Sequence, residues 1–216
     1  MLEIQNLNAS YGQAQVLFNV SFVVPRGNLL LIRGLNGAGK SSLLKSIMGL
    51  MPHSTGNLLW QGQALHSLNP HERSLKGLGY VPEDRRLFSA LTVRQNLEIA
   101  MPNQPKLRPH GQPGLQLQEV LDLFPSLASM LERPAAQMSG GEQQMLAIGR
   151  TLMTQADALI LDEPCEGIAP VLVQAIARAL AALKAQGYTF LIAEQNHTLT
   201  NLADKVLTLT GGVIQD

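Results

Sequence analysis

The run Gly34-Leu35-Asn36-Gly37-Ala38-Gly39-Lys40-Ser41 constrains this chain more than any other feature. It lies between a short apolar stretch, Leu29–Ile32, and the segment Ser41-Ser42-Leu43-Leu44-Lys45-Ser46-Ile47-Met48. The first has the uninterrupted character of a strand buried on both faces, and the second reads as a helix. Strand, glycine loop and helix predict an α/β fold around a phosphate loop. Glycines are needed there because backbone amides converge on oxygen atoms only where no Cβ blocks the turn or the approach. The helix that follows adds free amides and the positive end of its dipole. Lys40 would then reach β- and γ-phosphates, and the Ser41 hydroxyl would ligate Mg²⁺.

A chain of 216 residues is one ordinary domain, with room for an inserted subdomain. Sixteen basic residues balance sixteen acidic ones, which argues against a nonspecific nucleic-acid binder, and no nucleic-acid partner is expected. The single cysteine, Cys165, excludes an internal disulfide framework and a cysteine-built zinc site. His53, His66, His71 and His110 form no metal-ligand spacing with it, and His53, after Pro52, is expected in a turn. Met1–Asn6 lacks the pattern of a secretory signal, and no window reaches the roughly 18 apolar residues of a membrane span. Any link to a membrane is expected to run through a partner.

Leu2, Ile4 and Leu7 suggest a first strand, Tyr11-Gly12 a turn, and Val16–Val24 a second strand. Leu58–Trp60, Leu78–Val81, Ala158–Leu161, Phe190–Ala193, Lys205–Leu209 and Val213–Gln215 are further strand candidates. Helices are expected over Leu115–Phe124, stopping at Pro125, over Gly141–Met153, and over Val171–Ala185 with Pro170 as its first residue. Residues from about Ala90 to Ala136 read as a small helical region, with proline-rich Met101–Gly114 as a surface loop inside it.

Two more segments carry chemistry. Ala158-Leu159-Ile160-Leu161-Asp162-Glu163-Pro164 ends a buried strand in two carboxylates, which are costly there unless a cation or hydrogen bonds satisfy them. Asp162 would hold Mg²⁺ through its water shell, and Glu163 would polarise the attacking water. Ser139-Gly140-Gly141-Glu142 has the form of a capping box at a helix start. Alone it could be only a well-capped helix, although its amides also offer a second anion site.

Gly34–Ser41, Met138-Ser139-Gly140-Gly141-Glu142-Gln143-Gln144 and Asp162-Glu163-Pro164 resemble, in order and spacing, the ATP-binding subunits of ATP-binding-cassette (ABC) transporters. The resemblance covers essentially the whole chain. Within that family, Tyr80-Val81-Pro82-Glu83-Asp84-Arg85-Arg86-Leu87-Phe88 and Leu91-Thr92-Val93-Arg94-Gln95-Asn96-Leu97 are similar to the LivF-like ATPases of branched-chain amino acid importers. Ala169-Pro170 is also LivF-like, whereas Glu166-Gly167-Ile168 is closer to the related urea importer ATPases.

The resemblance implies one nucleotide-binding domain over 1–216, with a mixed β core, a small N-terminal antiparallel region and a helical subdomain at about 90–136. It implies ATP contacts by Tyr11, Asn36, Gly37, Ala38, Gly39, Lys40, Ser41, Ser42 and Glu83, Mg²⁺ ligation by Ser41, Glu83 and Asp162, and catalysis by Glu163 with Gln195. Ser139, Gly140 and Gly141 would grip the nucleotide held by a second ATP-binding subunit, either a copy or a paralogue. Two integral-membrane permease subunits and an extracytoplasmic substrate-binding protein would complete the system, placing the chain at the cytoplasmic face of the inner membrane. Glu83 stands where most such ATPases have glutamine, Gln195 where most have the switch histidine, and Ala169 where aspartate is usual.

Hydrolysis of ATP coupled to import of branched-chain amino acids is the resulting expectation. A urea or short-chain amide importer is the alternative within the family. A soluble ABC-type ATPase without a permease, or a nucleotide-gated structural subunit with little hydrolysis, are the alternatives of other classes.

Overall fold

The computed structural model describes residues 1–103 and 114–215. Leu2–Tyr11 (β1) and Ala14–Val24 (β2) form an antiparallel hairpin, turned by Gly12 in the left-handed region. Leu29–Arg33 (β3) leads through the glycine loop into Lys40–Ile47 (α1). His53–Trp60 (β4) returns to β1, and Gln63–Ala64 (β5) completes an antiparallel sheet of order β2-β1-β4-β5. Pro70–Leu75 (α2) and Leu78–Val81 (β6) follow, then Val93–Glu98 (α3), Leu117–Leu123 (α4) and Pro125–Ala128 (α5). Gly140–Met153 (α6), Ala158–Asp162 (β7), Pro170–Ala185 (α7), Thr189–Glu194 (β8), Lys205–Thr210 (β9) and Val213–Gln215 (β10) close the chain.

The second sheet has the order β10-β9-β3-β8-β7-β6; all its pairings are parallel except that of edge strand β10. Alternation explains why its central strands are apolar throughout. Leu29 and Leu31 pack with the helical core of α3, α4, α6 and α7, while Leu30 and Ile32 join a second core with α1 and the N-terminal sheet. The fold is therefore α/β, with a mixed sheet between helices on one side and the antiparallel sheet on the other. Because β3, β6, β7 and β8 run parallel, their C-terminal ends share one edge. The segments at Gly34, Pro82, Glu163 and Gln195 all leave from it.

Some boundaries differ from the sequence reading. His53 opens β4 opposite Ser10, because pairing with β1 extends the strand well before its apolar end. Pro125 does not simply end a helix but starts α5, where its missing N–H costs nothing. The short helix α2 escaped notice despite its Asn69–Glu72 capping box, since six residues show little periodicity. Most of the expected proline-rich loop, residues 104–113, lies outside the described residues.

Candidate active site

Gly39 is the N-cap of α1 at φ 104°, a conformation that favours glycine. A Cβ there would also press on Leu17 Cδ2 and the Val16 carbonyl, both 3.1 Å away. Gly37, at φ 81°, has open space around it, so its requirement is conformational. Leu43, Leu44 and Ile47 anchor α1 in the core beneath, and its first-turn amides face the loop.

Lys40 is buried, and its ammonium donates to the Gly34 and Leu35 carbonyls at 2.8 and 3.1 Å. Its third partner is Glu163 Oε1, 2.9 Å away. Ser41 Oγ donates to Asp162 Oδ1 at 3.0 Å, and Tyr80 Oη donates to Asp162 Oδ2 at 3.3 Å. Burial raises the Asp162 carboxyl above its ordinary range; the Ser41 and Tyr80 bonds oppose this, while the charges of Glu83 and Glu163 add to it. Burial likewise raises the Tyr80 phenol, with Asp162 reinforcing the effect.

A cleft of about 400 Å³ opens over these groups, lined by Asn36, Gly37, Gly39, Lys40, Ser41, Ser42, Glu83 and Glu163, and also by Val16 and Glu166. Glu83, Glu163 and Glu166 oppose a single ammonium there. A polyphosphate would meet net negative charge, so a divalent cation fits the electrostatics. The Ser41 hydroxyl and the carboxylates of Asp162 and Glu83 are hard oxygen donors of the type Mg²⁺ prefers. Among the described residues, no three His, Cys, Asp or Glu side chains are grouped to hold a metal. A cation here would therefore complete its shell with phosphate and water oxygens.

Glu163 has φ 48°, in the left-handed region, where it follows the buried strand β7. Its N–H donates to the Ala193 carbonyl at 2.9 Å, and its Oε2 accepts the Gln195 N–H at 3.1 Å. Gln195 meets Glu163 through its backbone, while its side chain is exposed. His197 lies beside Arg33 instead, with Nη2 2.6 Å from Nε2.

The other expected contacts lie apart. Tyr11 is exposed at the end of β1 and does not line the cleft. Ser139 caps α6, accepting the Glu142 N–H at 3.4 Å while Glu142 Oε2 accepts the Ser139 N–H at 2.7 Å. Ser139 and Gly140 are accessible, whereas a Cβ on Gly141 would collide with Leu172 and Ile168. That packing requirement could not be read from the motif. Arg85 joins α6 to the segment after β6, its Nε donating to Gln144 Oε1 at 3.1 Å. Val16 and Glu166 in the cleft, and Tyr80 on Asp162, were not expected because nothing in their local sequence marks a site assembled from distant segments.

Residues 17–166 match the ABC transporter family. The chain is 39% identical over 215 residues to the high-affinity branched-chain amino acid transport ATP-binding protein BraG of Pseudomonas aeruginosa, covering 99% of this chain and 91% of that protein. It is 35% identical over 214 residues to the probable branched-chain amino acid transport ATP-binding protein LivF of Archaeoglobus fulgidus, covering 98% and 89%. The lantibiotic transport ATP-binding protein SrtF of Streptococcus pyogenes is 30% identical, with 94% and 82% covered. Among solved structures, the ADP conformation of MJ1267, an ATP-binding cassette of an ABC transporter, superposes with a TM-score of 0.81 at 28% identity, covering all of this chain and 89% of that one.

Proposed function

Since this chain belongs to the ABC transporter family and is an ATPase subunit of such a transporter, we propose that it powers an importer of branched-chain amino acids. One observation carries the chemistry: Lys40, Ser41 and Glu163, from two distant motifs, line a single cleft, and Asp162 is bonded to Ser41. The cargo rests on the two relatives at 39% and 35% identity, both branched-chain amino acid transport proteins, against 30% for the lantibiotic one.

In this reading the loop from Asn36 to Gly39 and the hydroxyls of Ser41 and Ser42 wrap the phosphates of ATP. Lys40 exchanges its carbonyl and Glu163 partners for β- and γ-phosphate oxygens. Ser41, Asp162 and Glu83 would hold Mg²⁺, which neutralises charge on the phosphates when bound. Glu163, released by Lys40, accepts the proton of the attacking water. The Gln195 amide can donate a hydrogen bond to the γ-phosphate but cannot become cationic. Tyr11 would stack on adenine.

The accessible start of α6, away from this cleft, suits contact with nucleotide held by a second subunit, through Ser139 and Gly140. Closure and reopening of that pair would drive two permease subunits, contacted near Glu83 and through a helical subdomain at about 90–136. An extracytoplasmic binding protein would deliver the cargo. Among the described residues no helix is long and apolar enough to cross a membrane. In this reading the permease subunits hold the chain peripherally at the cytoplasmic face.

Reconstitution with permease subunits of a branched-chain amino acid importer tests the cargo. ATP-dependent uptake of leucine, isoleucine and valine is expected; uptake of urea or short amides in their place would assign it to the other importer group. A heterodimer of Ser139→Arg and Lys40→Ala chains tests whether each nucleotide is held between the two subunits. Pairing across subunits leaves one site intact and traps about one nucleotide per dimer, whereas pairing within a chain spoils both.

A further inference from the structure

Glu194 is fully buried at the end of β8, immediately before Gln195, and does not line the cleft. Its Oε1 accepts the backbone N–H of Cys165 at 2.9 Å, while its Oε2 is buried without a hydrogen-bond partner among the described residues. Two further bonds flank this one. The Glu163 N–H donates to Ala193 O at 2.9 Å, and the Gln195 N–H donates to Glu163 Oε2 at 3.1 Å. Three consecutive residues of one segment, 193 to 195, thus grip the turn from 163 to 165 at three points.

That turn needs a grip. Glu163 holds a left-handed backbone at φ 48°, which a residue with a Cβ keeps only when its surroundings over-determine it. Cys165 is buried, so without Glu194 its N–H would be an orphaned donor. Relaxing the turn to satisfy that donor would shift Glu163, and displacements of the order of an ångström at a reacting group can cost about 10²-fold in rate. Lys40 and Ser41 stand on α1, and only the Lys40–Glu163 ion pair links them to the gripped turn, so loosening the grip bears on the base more than on the phosphate loop.

We infer that Glu194 is a positioning residue for ATP hydrolysis, its buried carboxyl clamping the turn that carries Glu163 onto the segment that carries Gln195. The inference rests on Glu163 being the base. Burial pushes the Glu194 carboxyl up to about 7, with the charges of Glu163 and Glu166 adding to it and the bond from the Cys165 N–H opposing it. A neutral amide acceptor is therefore a fair replacement for this carboxyl, whereas an apolar side chain of similar size is not.

Steady-state phosphate release by the full chain, titrated with Mg-ATP, tests this in Glu194→Leu and Glu194→Gln, with Glu163→Gln as control. Glu194→Leu is expected to lower kcat by about 10- to 100-fold while KM stays within about 3-fold, and Glu194→Gln to recover most of the loss. Parental kcat in the leucine variant, or equal loss in both variants, would overturn the clamp while leaving the ATPase reading intact. Undiminished release by Glu163→Gln would instead overturn the assignment of the base, and the clamp with it. Should the leucine variant not fold, amide hydrogen exchange on the parent decides. Slow exchange at Cys165 and Gln195, retained in Glu194→Gln, supports the clamp, and open-loop exchange at Cys165 refutes it.

Discussion

Lys40 Nζ lies 2.9 Å from Glu163 Oε1, with both side chains more than nine-tenths buried, so the phosphate-loop cation and the candidate base form one ion pair. Each restrains the other. The lysine neutralises the carboxylate that should accept a proton, and the carboxylate competes with phosphate for the lysine. In the proposed reaction, phosphate binding to Lys40 would therefore also release the base, tying the start of the chemistry to the arrival of the nucleotide.

Glu163→Gln should therefore do two things at once. Removing the base lowers hydrolysis by about 10²–10⁴. Removing the competing charge also leaves Lys40 freer for phosphate, so ATP binds several-fold more tightly. Equilibrium binding of a fluorescent ATP analogue beside phosphate release checks both. Unchanged or weaker binding would argue against the competition.

Lys40→Ala removes the charge-assisted phosphate contact and should reduce ATP binding by at least about 10-fold. It also strands Glu163 as a buried carboxylate, and breaking a buried pair in this way costs about 3–5 kcal/mol. The double variant Lys40→Ala/Glu163→Gln should regain much of that stability without regaining ATP binding. Urea unfolding of the parent, the singles and the double would measure the coupling.

Stability should fall with rising pH through Glu194. Its folded carboxyl stays protonated up to about 7, against an ordinary value of 4.5. The folded state therefore holds the proton more tightly, and its advantage is complete below 4.5 and lost as pH rises through 7. The difference corresponds to about 3 kcal/mol. Denaturant unfolding from pH 5 to 8 should show this decline in the parent and a flatter profile in Glu194→Gln. Parallel profiles would count against a raised carboxyl.

Gly140 and Gly141 should differ sharply despite being neighbours in one motif. A Cβ on Gly141 collides with Leu172 of α7 and with Ile168 just before that helix, so Gly141→Ala should cost about 1–3 kcal/mol by overpacking. At Gly140 the nearest group is the flexible Arg85 guanidinium at 3.4 Å, and alanine should fit within about 0.5 kcal/mol. Thermal unfolding of the two variants compares them directly.

Much of the site was legible because its signals are local. Gly37 and Gly39 must reach backbone angles closed to other residues, Lys40 and Ser41 follow at the required spacing, and Asp162-Glu163 ends an apolar strand. Each of those demands is met within a few residues of chain, so it leaves a readable pattern. Tyr80, Glu166 and Glu194 carry no such mark. Tyr80 meets Asp162 at the end of β7 and Glu194 meets Cys165 in the turn that follows, and an isolated tyrosine or glutamate looks the same in a surface turn as beside a buried carboxylate.

The sequence by itself determined the α/β class, the phosphate loop and the capped start of α6, since all of these follow from short-range spacing and periodicity, and its motifs carried the resemblance to the family. Tertiary structure alone decided that Lys40 pairs with Glu163 across 123 positions of chain, that Gly141 is a packing glycine, and that Gln195 meets Glu163 through its backbone. The physical reason is the parallel sheet. Its order β3-β8-β7-β6 brings the ends of strands far apart in sequence to one edge, and only there do their charges and hydrogen bonds meet.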